Sequence, residues 1–277
     1  MPLLPPANRE QLCRDLCWAI NSESLIDCGP TIAPVDATNI DLDHLIHFFG
    51  GKPPRRVGRY FEKLVLYWLT HVRKVSAITH ALPIRAGKTT LGEIDFLFRD
   101  EDDQLNHLEV AIKFYLYQPD HPVDGSHFVG PNRRDTFERK MDRIFSHQLP
   151  LSRTHVEGVQ VRQAIVKGRI FYSNEFDSPT HYPNRLANGH LRGGLLHRHE
   201  FEDTDRFSGA VFGFLTKPFW LSSQTMTEDD DRILDLSEFT AELANRFASD
   251  PTPVLASRLV GRDGVMMETE RFFVLNR

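Results

Sequence analysis

Glu93, Asp95, Glu109 and Lys113 are the residues of this 277-residue chain whose types and spacing suggest chemistry. They fall in "LGEIDFLFRDEDDQLNHLEVAIKFYLY", residues 91–117, which reads as two strands joined by an acidic turn. Strand side chains alternate between faces. In the second strand Leu108, Val110, Ile112 and Phe114 share one face, and Glu109, Ala111, Lys113 and Tyr115 the other. In the first, Ile94, Phe96 and Phe98 oppose Glu93, Asp95 and Leu97. A turn centred on Asp102 sets Asp95 opposite Glu109 and Glu93 opposite Ala111. Directly opposed side chains start roughly 4.5–5.5 Å apart at Cβ, so like charges there repel unless something positive lies between them. A divalent cation resolves the conflict: Mg²⁺ takes one or two carboxylates and keeps water and substrate phosphate in the rest of its shell. A nearby lysine then orients a water or steadies charge developing on a phosphate. The plain alternative is a half-buried strand with a wet acidic face. It predicts full exposure of Asp95 and Glu109, whereas the apolar run of "AIKFYLY" indicates a sheet interior, where charges need partners.

The elements that must position these residues follow from periodicity. "NREQLCRDLCWAI" opens on Asn8 as an N-cap, with Gln11 three residues on and Leu12, Leu16, Ala19 and Ile20 on one helical face. "LDHLIHFF" gives a short helix, and "VGRYFEKLVLYWLTHVRK" a stronger one striped by Phe61, Leu64, Val65, Trp68 and Leu69. "VSAITHALPIRA" reads as a strand and "GKTT" as a turn into the hairpin. "RRDTFERKMDRIFSHQL" is a helix with Phe137, Met141, Ile144 and Phe145 inward, and "VQVRQAIVKGRIFY" supplies one or two further strands. Gly- and His-rich loops follow to about residue 206; then come the strand-like "SGAVFGFLTKPFWL", a capped helix after Thr227 and the apolar run "RFFVLN". The order of helix, three strands, helix and strand predicts an α/β core with a mixed central sheet flanked by helices.

With its motifs in that order, the chain resembles the PD-(D/E)XK nuclease superfamily, nearest to its Holliday-junction-resolvase-like members. "GRYFEKLVLYWL" matches the core helix that carries a glutamate, and "GEIDFLF" and "HLEVAIKF" match the hairpin. The resemblance covers about residues 55–172. It implies a restriction-endonuclease-like core there, a helical extension over 1–54 and an α/β elaboration over 173–277, together one elaborated domain. It further implies Glu62, Asp95 and Glu109 as ligands of Mg²⁺ or Mn²⁺, and Lys113 as the catalytic lysine. The implied activity is metal-dependent hydrolysis of phosphodiester bonds in DNA or structured nucleic acid. One departure stands out: the lysine expected at position 111 is Ala111, and Lys113 lies two residues further, about 6.6 Å along the same face. A catalytically idle module that binds nucleic acid or a protein partner is the reading this departure favours.

Arg133, Arg134, Arg139, Lys140 and Arg143 follow the hairpin and suit contact with a phosphate backbone, which positions nucleic acid without reading its sequence. Arg133 and Arg134 stand at the expected helix start, where the dipole disfavours cations, and this singles them out for phosphate. Tyr172, Tyr182, Arg185, Arg192 and Arg198 are further candidates for such contact. Other motifs fail on inspection. "GKTT" lacks the earlier glycine of a phosphate loop, since Leu82 stands there, and it precedes a strand. His190, His197 and His199 lack a visible fourth ligand for zinc and fit a partner-binding loop. Cys13 and Cys17, four apart, suit a shared helical face better than a disulfide framework. With no long apolar run, no secretory signal and a net charge of −5, the expectation is a reduced cytoplasmic protein without unspecific nucleic-acid affinity, with a homodimer or protein partner open.

Overall fold

A computed structural model describes residues 6–173, 179 and 181–276. Helices are α1 (Pro6–Asn21), α2 (Leu42–Phe48), α3 (Val57–Tyr67), α4 (Phe137–Asp142), α5 (Leu149–His155) and α6 (Leu236–Ser249). Strands are β1 (Ser76–Ala86), β2 (Thr89–Arg99), β3 (Leu105–Tyr117), β4 (Phe128–Val129), β5 (Val159–Tyr172), β6 (Arg192–His197), β7 (Val211–Phe214), β8 (Thr225–Thr227), β9 (Val254–Arg262) and β10 (Val265–Leu275). The fold is α/β, a large mixed sheet flanked by helices. Among the described residues no helix is long and apolar enough to cross a membrane.

Two compact units form, neither continuous in sequence. The first takes the chain up to Lys113, with Phe137–Gly168 and Pro183–His190; the second takes Phe114–Thr136, Arg169–Tyr182 and the chain from Leu191. The division cuts through β3 and β5.

In the first unit α1 packs on α2 and α3. Buried Asp15 of α1 accepts from Tyr60 Oη at 2.8 Å and from Gln11 Nε2 at 2.9 Å, which ties α1 to α3. The expected stripe of α3 is buried from Phe61 to Leu69, and α1 begins at Pro6, ahead of the expected cap at Asn8. Both α3 and α4 continue into π turns, at Trp68–Val72 and Arg143–Gln148, and the second leads directly into α5. Strands β1 and β2 form a hairpin whose two-residue turn is Gly87–Lys88, with Ala86 paired to Thr89 and Gly87 at φ +60°. The "GKT" is therefore hairpin punctuation. Between β2 and β3 the register is Phe96 with Leu108 through Arg99 with Leu105, as the turn about Asp102 predicts. Lys167 of β5 is buried and donates to the carbonyls of Ile20 (3.1 Å) and Ser22, capping the end of α1.

In the second unit β6 pairs parallel with β5 and β10, and β10 continues antiparallel to β9, which pairs with β7. Phe201, Phe207, Phe212 and Phe239 fill its core with Phe272. Asp235 and Glu238 form the capping box that starts α6. "LRGGLLH", expected as loop, is strand β6. Its glycines lower strand propensity, but a Cβ at Gly193 would lie 2.6 Å from the Phe171 ring and 2.9 Å from the Arg271 carbonyl. Strand β9 gave no signal that was recognised in the sequence. The three cysteines are free, with Cys13 and Cys17 partly buried on α1.

Gly168 fixes where β3 and β5 touch in the first unit. At φ +147° it leaves room for the backbone of Lys113, whose carbonyl oxygen would lie 1.7 Å from an added Cβ. Gly168→Ala is expected to lower stability by at least about 2 kcal/mol in chemical denaturation. Gly158→Ala, at φ +77° with open space around it, should cost only about 1 kcal/mol. Equal losses would contradict the close approach.

Candidate active site

Where the β2–β3 ladder stops, two carboxylates take over its hydrogen bonds. Asp95 Oδ2 accepts from the Val110 N–H at 2.9 Å, and Glu109 Oε1 lies 3.5 Å from the Asp95 backbone nitrogen. The strands thus hand their unpaired N–H groups to the side chains of the facing strand, which holds both carboxyls near the strand junction. Glu109 is only 1% exposed and Asp95 is partly buried. A wet acidic face does not describe them.

Electrostatics follow from that burial. Desolvation, and then the negative charge of Glu109, push Asp95 up to about 7. Desolvation raises Glu109 to about 7 as well, partly opposed by hydrogen bonds from Asp95 and by the ammonium of Lys140. Burying an anion is costly without a counter-charge. The cation that acts on both carboxyls is Lys140, whose own pKa is lowered by burial and then by Lys113. Lys140 Nζ donates to Gln148 Oε1 at 3.1 Å, and Gln148 Nε2 donates onward to Glu109 Oε2. The π turn at Arg143–Gln148 leads up to Gln148, and His147 Nε2 lies 3.1 Å from the Leu91 carbonyl. Gly92 makes that packing possible, since a Cβ there would lie 2.5 Å from Leu151 Cδ1.

On the other side, fully buried His107 places Nε2 2.8 Å from Glu109 Oε1 and Nδ1 2.8 Å from Ser152 Oγ. Arg162 Nε donates to that same hydroxyl at 2.9 Å. Burial lowers the His107 pKa to about 4, so the ring is neutral. The consistent tautomer carries its proton on Nε2 toward Glu109 and accepts on Nδ1 from Ser152. His107 thereby orients the carboxylate without neutralising it, as a buried supporting residue does for a ligand.

Each sequence-predicted residue has a definite place. Asp95 and Glu109 come together. Glu62, buried on α3, is within electrostatic range of Asp95, but it accepts from Arg59 Nη1 at 2.8 and 2.9 Å and its Oε1 lies 2.7 Å from His80 Nε2. Among the described residues no group of three His, Cys, Asp or Glu side chains forms a ready metal-binding cluster. Glu93 is exposed and Lys113 partly buried, while Ala111 is 7% exposed. Lys140, assigned from sequence to phosphate contact, instead turns toward the carboxylate pair. Arg139 and Arg143 are exposed beside it in the first unit. Arg133 and Arg134 belong to the second unit and precede α4, so a dipole argument does not reach them; Arg133 donates to Gln118 Oε1 at 2.7 Å. His190 lies in the first unit, with Nδ1 2.6 Å from the Ala187 carbonyl, and His197 and His199 lie in the second, their rings stacked with centroids 5.5 Å apart.

Residues 2–275 match the family model described as "Domain of unknown function (DUF1853)". The chain belongs to the DUF1853 family. No curated protein matches it. In this DUF1853 chain the residues that sequence reasoning missed are His107, Gln148 and Ser152. His107 was within reach of the pattern, because it shares the alternating face of Glu109 two residues before it. Gln148 and Ser152 depend on the π turn, which no local pattern announced.

The raised carboxyls make stability depend on pH with a definite sign. A carboxyl protonated in the folded state but ionised in the unfolded chain stabilises the fold at low pH, and the contribution is lost as pH rises from about 4 to about 7. His107, depressed to about 4, acts oppositely: its contribution is lost as pH falls from about 6.5 to about 4. The comparison with Asp95→Asn removes that background. The variant should gain on the wild type between about pH 4 and about pH 7, by up to about 1.4 kcal/mol per pH unit. Denaturation midpoints that differ by a pH-independent amount would contradict the raised pKa.

Proposed function

We propose that the Asp95–Glu109 pair holds a divalent cation and that the chain is a metal-dependent nuclease acting on DNA or structured nucleic acid. The observation that carries the reading is the burial of two carboxylates side by side, with one partly buried lysine as their main counter-charge. The donor set fits Mg²⁺ or Mn²⁺: two hard oxygen donors from the protein, with remaining positions for water and phosphate. A bound cation would supply Lewis acidity toward a phosphate and a lowered pKa for water. This reading takes residues 55–172 as a restriction-endonuclease-like core, in line with the resemblance of "GEIDFLF" and "HLEVAIKF", and the protein as a cytoplasmic one.

The protein residues divide the remaining work. Asp95 and Glu109 are the ligands, and backbone N–H groups and His107 hold their orientation. Glu62 would be an outer ligand after release from Arg59, whose bonds to it are solvent-facing on one side. Lys140 would take the part of the lysine that position 111 lacks, and its lowered pKa suits it to position an attacking water or to steady charge on a phosphate. Lys113 lies close to Lys140 and supports the same field. Exposed Arg139 and Arg143 on the neighbouring helical turn suit phosphate contact.

Cleavage of labelled single-stranded, duplex, branched and RNA substrates by the purified chain tests the proposal, with Mg²⁺, Mn²⁺ or chelator. Cutting should require metal and fall by at least about 10²-fold in Glu109→Gln and Lys140→Ala. His107→Ala should lose about 10–100-fold. Cutting that survives Glu109→Gln would remove the site from the chemistry. Metal binding through Glu109 without cleavage of any substrate would favour a nucleic-acid-binding module over an enzyme.

A further inference from the structure

Between Gly50 and Phe61 the chain places Lys52, Arg55, Arg56 and Arg59 and no carboxylate, in a protein whose net charge is −5. The basic stretch around α4, by contrast, interleaves its cations with Asp135, Glu138 and Asp142. Lys52, Arg55, Arg56 and Arg59 are all exposed and all belong to the first unit. Among the described residues no ion pair or side-chain hydrogen bond holds Lys52, Arg55 or Arg56.

Local structure does not account for this excess. Arg56 is the N-cap of α3 but makes no side-chain cap bond, and the first turn of the helix holds no acid. The dipole disfavours cations there, so Arg55, Arg56 and Arg59 weaken the start of α3. Pro53 and Pro54 restrict the backbone that leads into them. A Cβ at Gly58, between Arg56 and Arg59, would meet nothing within 4 Å, which leaves this surface open.

The same helix leads to the carboxylates. Arg59 donates to Glu62 at 2.8 and 2.9 Å and stands within electrostatic reach of Glu93 and Asp95. At a rise of about 1.5 Å per residue, Arg56 lies about 9 Å along α3 from Glu62. A duplex presents a phosphate about every 3.4 Å of its axis on each strand, so the cations meet phosphates roughly three steps from one held beside Glu62.

We propose that Lys52, Arg55 and Arg56 form a contact surface for the sugar-phosphate backbone of duplex nucleic acid, with Arg59 at its join with the carboxylate site. The inference rests on the nuclease reading and adds the path by which its substrate approaches. Exposed cations bind a duplex by displacing its condensed counterions, which requires no cavity and reads no sequence. Arg139 and Arg143 come from α4 and the π turn after it; the entry of α3 is a second, separate set of phosphate contacts.

Fluorescence anisotropy of two labelled duplexes of unrelated sequence tests it on the full chain, with chelator present so that neither is cut. The wild type should bind both equally, with a dissociation constant of about 10⁻⁶–10⁻⁴ M. The double variant Arg55→Gln, Arg56→Gln should bind about 10-fold or more weakly, with the slope of log affinity against log salt lowered by about 2. Its denaturation midpoint should be no lower than that of the wild type, since the cations removed oppose the helix dipole. Arg262→Gln, which removes an exposed cation of the second unit, should change neither affinity nor slope. No binding by the wild type, an unchanged slope in the double variant, an equal loss per charge in Arg262→Gln, or tighter binding to vesicles of anionic lipid than to duplex would overturn the proposal. Mn²⁺ titration of the same preparations separates it from the nuclease reading: duplex binding that depends on Arg55 and Arg56 in a protein that binds no Mn²⁺ supports the surface and removes the nuclease.

Discussion

Two carboxylates that share a low-dielectric junction cannot both be ionised without a cation, and the first unit is arranged around that conflict. Asp95 and Glu109 are forced together by strand pairing: the ladder that runs from Arg99 to Phe96 brings the next residues face to face. Once there, each carboxylate accepts from the opposite strand's backbone, so truncating either side chain would also orphan the N–H group it satisfies. The strain is electrostatic and is held by packing. His107 and Gln148 fix Glu109 from two sides, and Lys140 supplies partial compensation at a distance.

The surrounding fold serves that junction. The helical run from Phe137 to His155 is pressed onto β2 at a glycine, and its π turn changes the rotation of the helix so that Gln148 and Ser152 both reach the site. Extra residues in a helix cost regular hydrogen bonding and are found frequently at functional positions. A glycine at 168 lets β5 come close to the backbone of β3 at Lys113. In each case an unfavourable local feature is explained by what it brings near the carboxylates.

Much of this was legible in the sequence, for physical reasons that can be stated residue by residue. Alternation in β2 and β3, with an acidic turn, was enough to set the register and pair Asp95 with Glu109. The apolar stripe of α3 carried a periodic signal strong enough to survive tertiary context, and the helix expected after Thr227 forms only from Leu236, under the Asp235 cap. What failed depended on three-dimensional packing. "LRGGLLH" looks like loop because glycine is a poor strand former, yet the glycines are required by the Phe171 ring and the Arg271 backbone. The direction of Lys140 could not be read from a helix assigned as regular, and neither could the burial of Tyr172 be read from its loop-side position. The two units interleave along the chain, which no composition shift marks.

Direct measurement of divalent-cation binding bears most closely on the account. Titrating Mn²⁺ into the wild type, Asp95→Asn and Glu109→Gln at about pH 8 and about pH 6 reads the carboxylate pair without requiring a known substrate. The account predicts a binding event at the higher pH that weakens at the lower one, as protons compete for carboxyls that titrate near 7, and that is lost in both variants. Absence of binding at the higher pH, or binding that both variants retain, would contradict it.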